Sequence, residues 1–211
     1  MKVRFILIAL LLNLVACSAQ LTQKSFIAQD DILSLYSNEQ WQEWQLEYAA
    51  FELKPLVIKI EEITGETTVL HGVFLDHPSS TDVVYFLQGN GMTVANSMGS
   101  VMGSLSKLNK DIVVFDRRGT GASNGVATIN NLIADANHQF DYIKQQLSPD
   151  KIIIHGFSLG SFIAGQVAKE KAPHALILQG SATNVDEWIA ARMPWYSKLF
   201  INVEVEVTLL C

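Results

Sequence analysis

The sequence predicts an α/β fold: a mostly parallel sheet with helices on both faces and an antiparallel hairpin on its N-terminal side. Three observations predict it. DVVYFL (82–87), DIVVFD (111–116), KIIIHG (151–156) and ALILQG (175–180) are short, continuously apolar runs, the pattern of strands covered on both faces. Helix-like segments at Ser97–Leu108, Thr128–Leu147 and Ser158–Lys171 alternate with them, which implies right-handed βαβ crossovers. Ahead of these lies PLVIKIEEITGETTVLHGVFLDH, two β-rich runs around Thr64-Gly65-Glu66, a hairpin signal.

The elements follow in order. Met1–Arg4 is a short basic head, and FILIALLLNLVA (5–16) is an apolar run too short for a comfortable span, which needs about 20 residues, and suited to a secretory signal. It ends in Leu14-Val15-Ala16-Cys17, which resembles a bacterial lipobox. That resemblance implies a signal peptide over 1–16 and a diacylglycerol on Cys17. With Ser18 next, it also implies a lipid-anchored protein of the bacterial cell envelope, at the outer membrane facing the periplasm. Residues 17–50 read as an N-terminal helical segment. Within it SNEQWQEWQLEYAAF carries Trp41, Trp44 and Tyr48 at spacings of three and four, one helix face expected to pack on the domain. Residues 51–211 read as an incomplete α/β domain. His71 and His77, in the hairpin's second run, read as strand-side or loop histidines.

Composition narrows the function. The 211 residues are 49% hydrophobic and 17% charged, a globular composition. The net charge of −6 argues against nucleic acid as a partner, because phosphate binding needs clustered Lys and Arg. The two cysteines, Cys17 and Cys211, supply neither a disulfide framework nor a cysteine-rich zinc site. No Walker loop, dinucleotide fingerprint or His-Glu-x-x-His is present, so no metal and no cofactor is expected.

One motif carries chemistry. Gly156-Phe157-Ser158-Leu159-Gly160 follows an apolar run and opens a helix-like segment. A strand reversing sharply into a helix strains the serine's backbone and needs glycine on both sides, so Gly156 and Gly160 form an elbow that exposes the Ser158 hydroxyl. Gly165 and Ala164 are expected to keep the first helical turns close to the sheet. The loop FLQGNGM (86–92) can bring backbone N–H groups toward that hydroxyl. An oxyanion hole needs two donors, and they are assigned to Leu159 and to Asn90 or Gly91. In FDRRGTGASNG (115–125) the third glycine falls too late for dinucleotide binding.

Gln88-Gly89-Asn90-Gly91, Asp116-Arg117-Arg118-Gly119-Thr120-Gly121-Ala122-Ser123 and Gly156–Gly160, in this order and at these separations, resemble the α/β-hydrolase superfamily. The branch most similar is that of lipases, esterases and serine-aminopeptidase-like proteins, over roughly Leu56 to Trp195. The resemblance implies that Ser158 is the nucleophile and that the Gln88–Gly91 loop supplies the oxyanion hole. Gln88 stands where the family usually has histidine, which weakens the bracing of that loop. Asp135 matches an acidic position that is usually structural.

A serine needs a base, and the base an orienting acid, in the chain order Ser, Asp or Glu, His. His174 is the one histidine after Ser158, and it sits at a strand entrance, the wrong end of the sheet. His155 reads as packed and His138 as exposed. Asp186 and Glu187 precede the position of the family's acid by one strand. The tail INVEVEVTLL alternates and reads as a strand. The resemblance therefore implies a serine hydrolase acting on ester or amide bonds of a small-molecule ester or peptide through an acyl-enzyme, with weak or no activity because the chain is truncated, its final strands missing, before its acid and histidine. The alternative is a non-catalytic, lipid-anchored envelope protein that binds acyl ligands in the vestigial pocket.

Overall fold

A computed structural model of the chain describes residues 19–21, 27–30, 32–181 and 201–203. The signal peptide, Cys17, Asp186, Glu187 and Cys211 lie outside the described residues. The chain divides into two units, one of 1–26 with 183–211 and one of 27–182. In the first, β1 (Ala19–Leu21) pairs in parallel with β8 (Ile201–Val203). The alternating tail therefore begins as the strand it was read to be.

The second unit holds a six-stranded sheet in the order β2-β3-β5-β4-β6-β7. The hairpin strands β2 (Glu52–Glu61) and β3 (Thr67–Asp76) are antiparallel, joined by a turn in which Gly65 takes φ +82°. β3 runs antiparallel to β5 (Asp111–Phe115). From there β4 (Asp82–Leu87), β5, β6 (Lys151–Phe157) and β7 (Ala175–Gln179) are parallel. All four apolar runs are strands, and the architecture is the one expected.

Strand alternation assigns side chains to the two faces. Val84, Phe86, Ile112 and Val114 join a buried cluster with Trp44 and Tyr48 of the N-terminal region and with Met98, Met102 and Leu105. On the other face the buried Tyr85 donates to the backbone oxygen of Ala136 and to the side chain of Gln139. Helix α1 (Asn38–Glu47) starts in a capping box: the Ser37 hydroxyl accepts from Gln40 N–H at 3.2 Å, and the Gln40 side chain returns the bond to Ser37 N–H at 2.9 Å. Trp41 and Trp44 pack on this body, as their spacing implied.

The segment after β4 departs from expectation. Ser97–Leu108 is not one helix: the chain forms α2 (Val94–Met98), α3 (Met102–Leu105) and a 3₁₀ turn (Ser106–Leu108). Thr93 caps α2 through Asn96 N–H, and Gly99 ends it at φ −75°, ψ 5°. Glycine and serine at 99, 100, 103 and 104 carry too little helix propensity to bridge the break. Helix α4 (Ile129–Tyr142) is capped by Thr128 and ends in a π-turn at Ile143–Leu147. Helix α5 (Leu159–Lys171) follows Ser158 directly.

Candidate active site

The chain leaves β4 in one direction to β5, then returns to the other side of β4 to form β6. Loops at the carboxyl ends of β4 and β6 therefore diverge around a switch point, where open α/β sheets bind ligands. The Gln88–Met92 loop, the Asp116–Gly125 loop and Ser158 all leave carboxyl ends of adjacent parallel strands.

Ser158 takes φ 52°, ψ −116°, a conformation that costs a non-glycine residue of order 1–3 kcal/mol and persists only where the surroundings enforce it. They do. A Cβ on Gly156 would stand 2.4 Å from Gly160 O, and one on Gly160 would stand 2.0 Å from Leu87 O and 2.6 Å from Gln88 O. Helix α5 thus begins against the end of β4, which only paired glycines permit. Ser158 N–H donates to Gln179 O at 2.8 Å, tying the elbow to β7. The Ser161 hydroxyl lies 2.7 Å from Gly156 O and 2.9 Å from Gln179 O, and accepts from Gln179 N–H at 3.1 Å. Ser158 itself is partly exposed. Gly165 does not approach the sheet, since a Cβ there meets nothing within 4 Å. Ala164 is fully buried.

The neighbouring loop packs on the elbow, because a Cβ on Gly89 would be 3.0 Å from the Phe157 ring. Gly91 takes φ +75°. The Asn90 carbonyl oxygen Oδ1 accepts from Ala28 N–H at 2.8 Å. Gln88 is buried, and its Nε2 donates to Ser97 Oγ at 2.8 Å. The structure thus brings Ser158, Leu159, Gly156 and Gly160 into one turn and sets the loop of Asn90 and Gly91 against it.

The Asp116 loop is held by buried charge. Asp116 accepts from Val94 N–H at 2.6 Å, Ala122 N–H at 2.9 Å and Tyr36 O–H at 2.6 Å. Burial pushes its carboxyl above the ordinary range despite these bonds. A Cβ on Gly121 would be 2.3 Å from that carboxylate. Arg118 grips Asp135 through two bonds of 2.8 and 2.5 Å and reaches Glu62 at 2.6 Å. The bond to Asp135 holds the guanidinium's pKa up. Asp135 is therefore a structural partner of Arg118, on the helix behind the sheet. Its neighbour Arg117 is also buried, and burial pushes its pKa down to about 10.

The histidines fall as their positions implied. His155 is buried in β6, edge-on to Phe86 at 5.4 Å, with Nε2 3.2 Å from the Gln179 side-chain oxygen. His174 precedes Ala175, which pairs with Ile153, so it lies at the entrance of β7 while Ser158 lies beyond the exit of β6. His138 is exposed on α4. His71 is part-buried in β3, and His77 lies edge-on to Phe51.

Sequence reasoning missed the anchoring strap. Residues 27–36 cross the two loops, with Asp30 N–H donating to Gly119 O, Gly121 N–H to the Asp30 carboxylate and Ser34 N–H to Gly121 O. Nothing periodic marks this stretch of mixed apolar and polar residues, and its partners lie between 62 and 91 residues on in the chain.

Known proteins place this geometry. The profile of the alpha/beta hydrolase fold matches residues 82–207, more than half of the chain. The chain belongs to the alpha/beta hydrolase family. A lysophosphatidylserine lipase (ABHD12) of Gallus gallus is 35% identical over 115 residues, 52% of this chain and 30% of the lipase. A multifunctional-autoprocessing repeats-in-toxin of Vibrio vulnificus is 31% identical over 104 residues, 48% of this chain and 2% of the toxin. This hydrolase-fold chain spans less than a third of the length of those relatives. An alpha-beta hydrolase structure from Vibrio vulnificus superposes with a TM-score of 0.60 at 20% identity, covering 81% of this chain and 63% of that one. The Pyrococcus furiosus esterase Pf2001 superposes at 0.59 and 21% identity, covering 83% and 69%. At these identities the structures share the fold.

Proposed function

We propose that this chain carries the nucleophile half of a serine hydrolase cleaving carboxylic esters or amides through an acyl-enzyme, with Ser158 as the attacking group. The observation that carries the reading is the backbone of Ser158, strained at φ 52° between two glycines that no other residue could replace. Ser158 Oγ attacks the carbonyl carbon, and the oxygen that becomes negative is received by the N–H of Leu159 with that of Asn90 or Gly91. The N-terminus of α5 adds favourable potential for that charge. Among the described residues no histidine faces Ser158, so its proton passes to solvent water as Oγ bonds to the carbonyl carbon, and the alcohol or amine leaves with a proton returned by water. Turnover by these 211 residues is therefore weak: removing the histidine of a serine-protease triad costs on the order of 10⁶-fold in kcat. The names of relatives, a lipase and an esterase, support an ester over an amide. The apolar run of residues 5–16 meeting Cys17, with its likeness to a lipobox, supports a lipid-anchored protein of a bacterial envelope, acting at a membrane surface.

A fluorophosphonate probe tests this, because it phosphonylates a serine held in such an elbow. Slow labelling of the wild-type chain on long exposure to excess probe, and none of Ser158→Ala, is expected. Equal labelling of both, or none of either, removes Ser158 as the nucleophile.

A further inference from the structure

We propose that a single ordered water sits behind the oxyanion loop, accepting from Arg117 and donating to Gln88, and that Arg117 positions the loop through it. The site is a cavity of about 20 Å³. The ends of β4 (Leu87, Gln88) and β5 (Phe115) line it together with Arg117, Asp135 on α4 and Ile163 on α5. One water needs ~10–15 Å³ of such space and two to four polar partners.

The partners are present and unused. Gln88 is 1% exposed, and its Oε1 has no partner among the described residues although its Nε2 is bonded to Ser97. Arg117 is 7% exposed, and none of Nε, Nη1 and Nη2 has a protein partner among the described residues. Buried polar atoms left unpaired are costly, because they give up their bonds to water and gain none in return. A water that accepts from the guanidinium and donates to Gln88 Oε1 relieves both groups at once. An anion fits less well. Arg117 already feels the negative charges of Asp116 and Asp30, and Asp135 lines the same cavity with both oxygens held by Arg118. A neutral bridging molecule satisfies the donors without adding a further negative charge.

The consequence reaches the site. Gln88 immediately precedes Gly89-Asn90-Gly91. Fixed by Ser97 at one end of its amide and by water at the other, it does the bracing expected of the histidine usual at this position. One water accepts at most two of the guanidinium's five N–H bonds, so Arg117 remains poorly satisfied and is held there at a cost to stability. This inference rests on the Ser158 reading only for its effect on labelling; the water stands or falls separately.

The experiment uses the full chain and its Arg117→Met and Arg117→Lys variants. A high-resolution crystal structure, or an NMR cross-relaxation signal between water and the Gln88 side-chain amide, reports the water. The second-order rate of fluorophosphonate labelling and the melting temperature are measured in parallel. A water bonded to Gln88 Oε1 and Arg117 in the wild type is expected, lost in Arg117→Met. The labelling rate of that variant is expected to fall on the order of tenfold, less than the 10²–10³ of losing an oxyanion donor outright. Its melting temperature is expected to hold or rise, and Arg117→Lys to recover part of the rate. A dry cavity, or an Arg117 side chain turned to solvent, overturns the water. An unchanged labelling rate in Arg117→Met overturns the positioning role. If neither wild type nor Ser158→Ala labels, the Ser158 reading fails, and with it the positioning role, while the structural result still decides the water.

Discussion

At the scale of the residue, the two elbow glycines are explained by backbone atoms that leave no room for a Cβ. Gly160 is the tighter test, because the atoms a Cβ would strike are the carbonyls of Leu87 and Gln88 and not the end of a flexible side chain. Gly160→Ala is expected to destabilise by about 3 kcal/mol, the upper end for an overpacked site, and to cut labelling of Ser158 by moving the Gln88 loop. Gly165→Ala, in the same helix with open space around it, is the control, expected to stabilise by up to about 1 kcal/mol. Equal melting temperatures for the two variants would refute the elbow packing. Asp116 gives a second prediction. Its buried carboxyl titrates above the ordinary 3.8, so between that value and the raised one the native state holds a proton the unfolded chain has lost. Stability contributed by this group therefore falls as pH rises through that window. Asp116→Asn keeps the shape and removes the slope, while Ala122 N–H or Val94 N–H meets a donor in place of an acceptor. Urea midpoints measured upward from the ordinary 3.8 should fall more steeply with pH in the wild type than in the variant; parallel lines would show that burial does not shift this group.

At the scale of the element, the capping box of α1 offers a clean measurement. Ser37 satisfies Gln40 N–H, and Gln40 satisfies Ser37 N–H. Ser37→Ala removes one bond and loosens the other, with an expected cost of about 1 kcal/mol in urea denaturation. A cost near zero would mean that the docking of Trp44 and Tyr48, both buried, holds this helix without its cap. The same helix shows what sequence reading captures. Its aromatic spacing announces a buried face, and the four strands announce themselves because both faces are covered, leaving apolar runs without alternation. The elbow was legible because its glycines flank a serine where a strand meets a helix. Other features are set by contacts distant in sequence and leave no local trace. The break of 94–108 into short pieces depends on where α2 must end against the sheet. The bond from Gln88 to Ser97 depends on that break. The strap from Ala28 to Tyr36 shows no periodic pattern of its own, and its role is visible only when Asn90, Asp116 and Gly119 are placed beneath it.

At the scale of the whole molecule, the two edges of the six-stranded sheet differ in chemistry. The β2 edge carries Lys54, Pro55 and Lys59 among its ten residues, charges and a proline of the kind that discourage pairing with another chain. The β7 edge carries Ala175-Leu176-Ile177-Leu178-Gln179, every one of them exposed. Leu176 is 39% exposed and Ile177 and Leu178 are each 46% exposed. A short, apolar, uncharged strand whose outer edge meets no strand among the described residues offers a ladder to a second copy. These 211 residues on their own are therefore expected to self-associate with rising concentration, which sedimentation velocity reads directly. Ile177→Lys adds the missing charge at an exposed position without touching the buried cluster. It is expected to leave the melting temperature within the range of surface substitutions, about ±0.5 kcal/mol in stability, and to keep the protein monomeric at concentrations where the wild type has associated. If both proteins sediment alike at every concentration, β7 is not the surface through which copies meet.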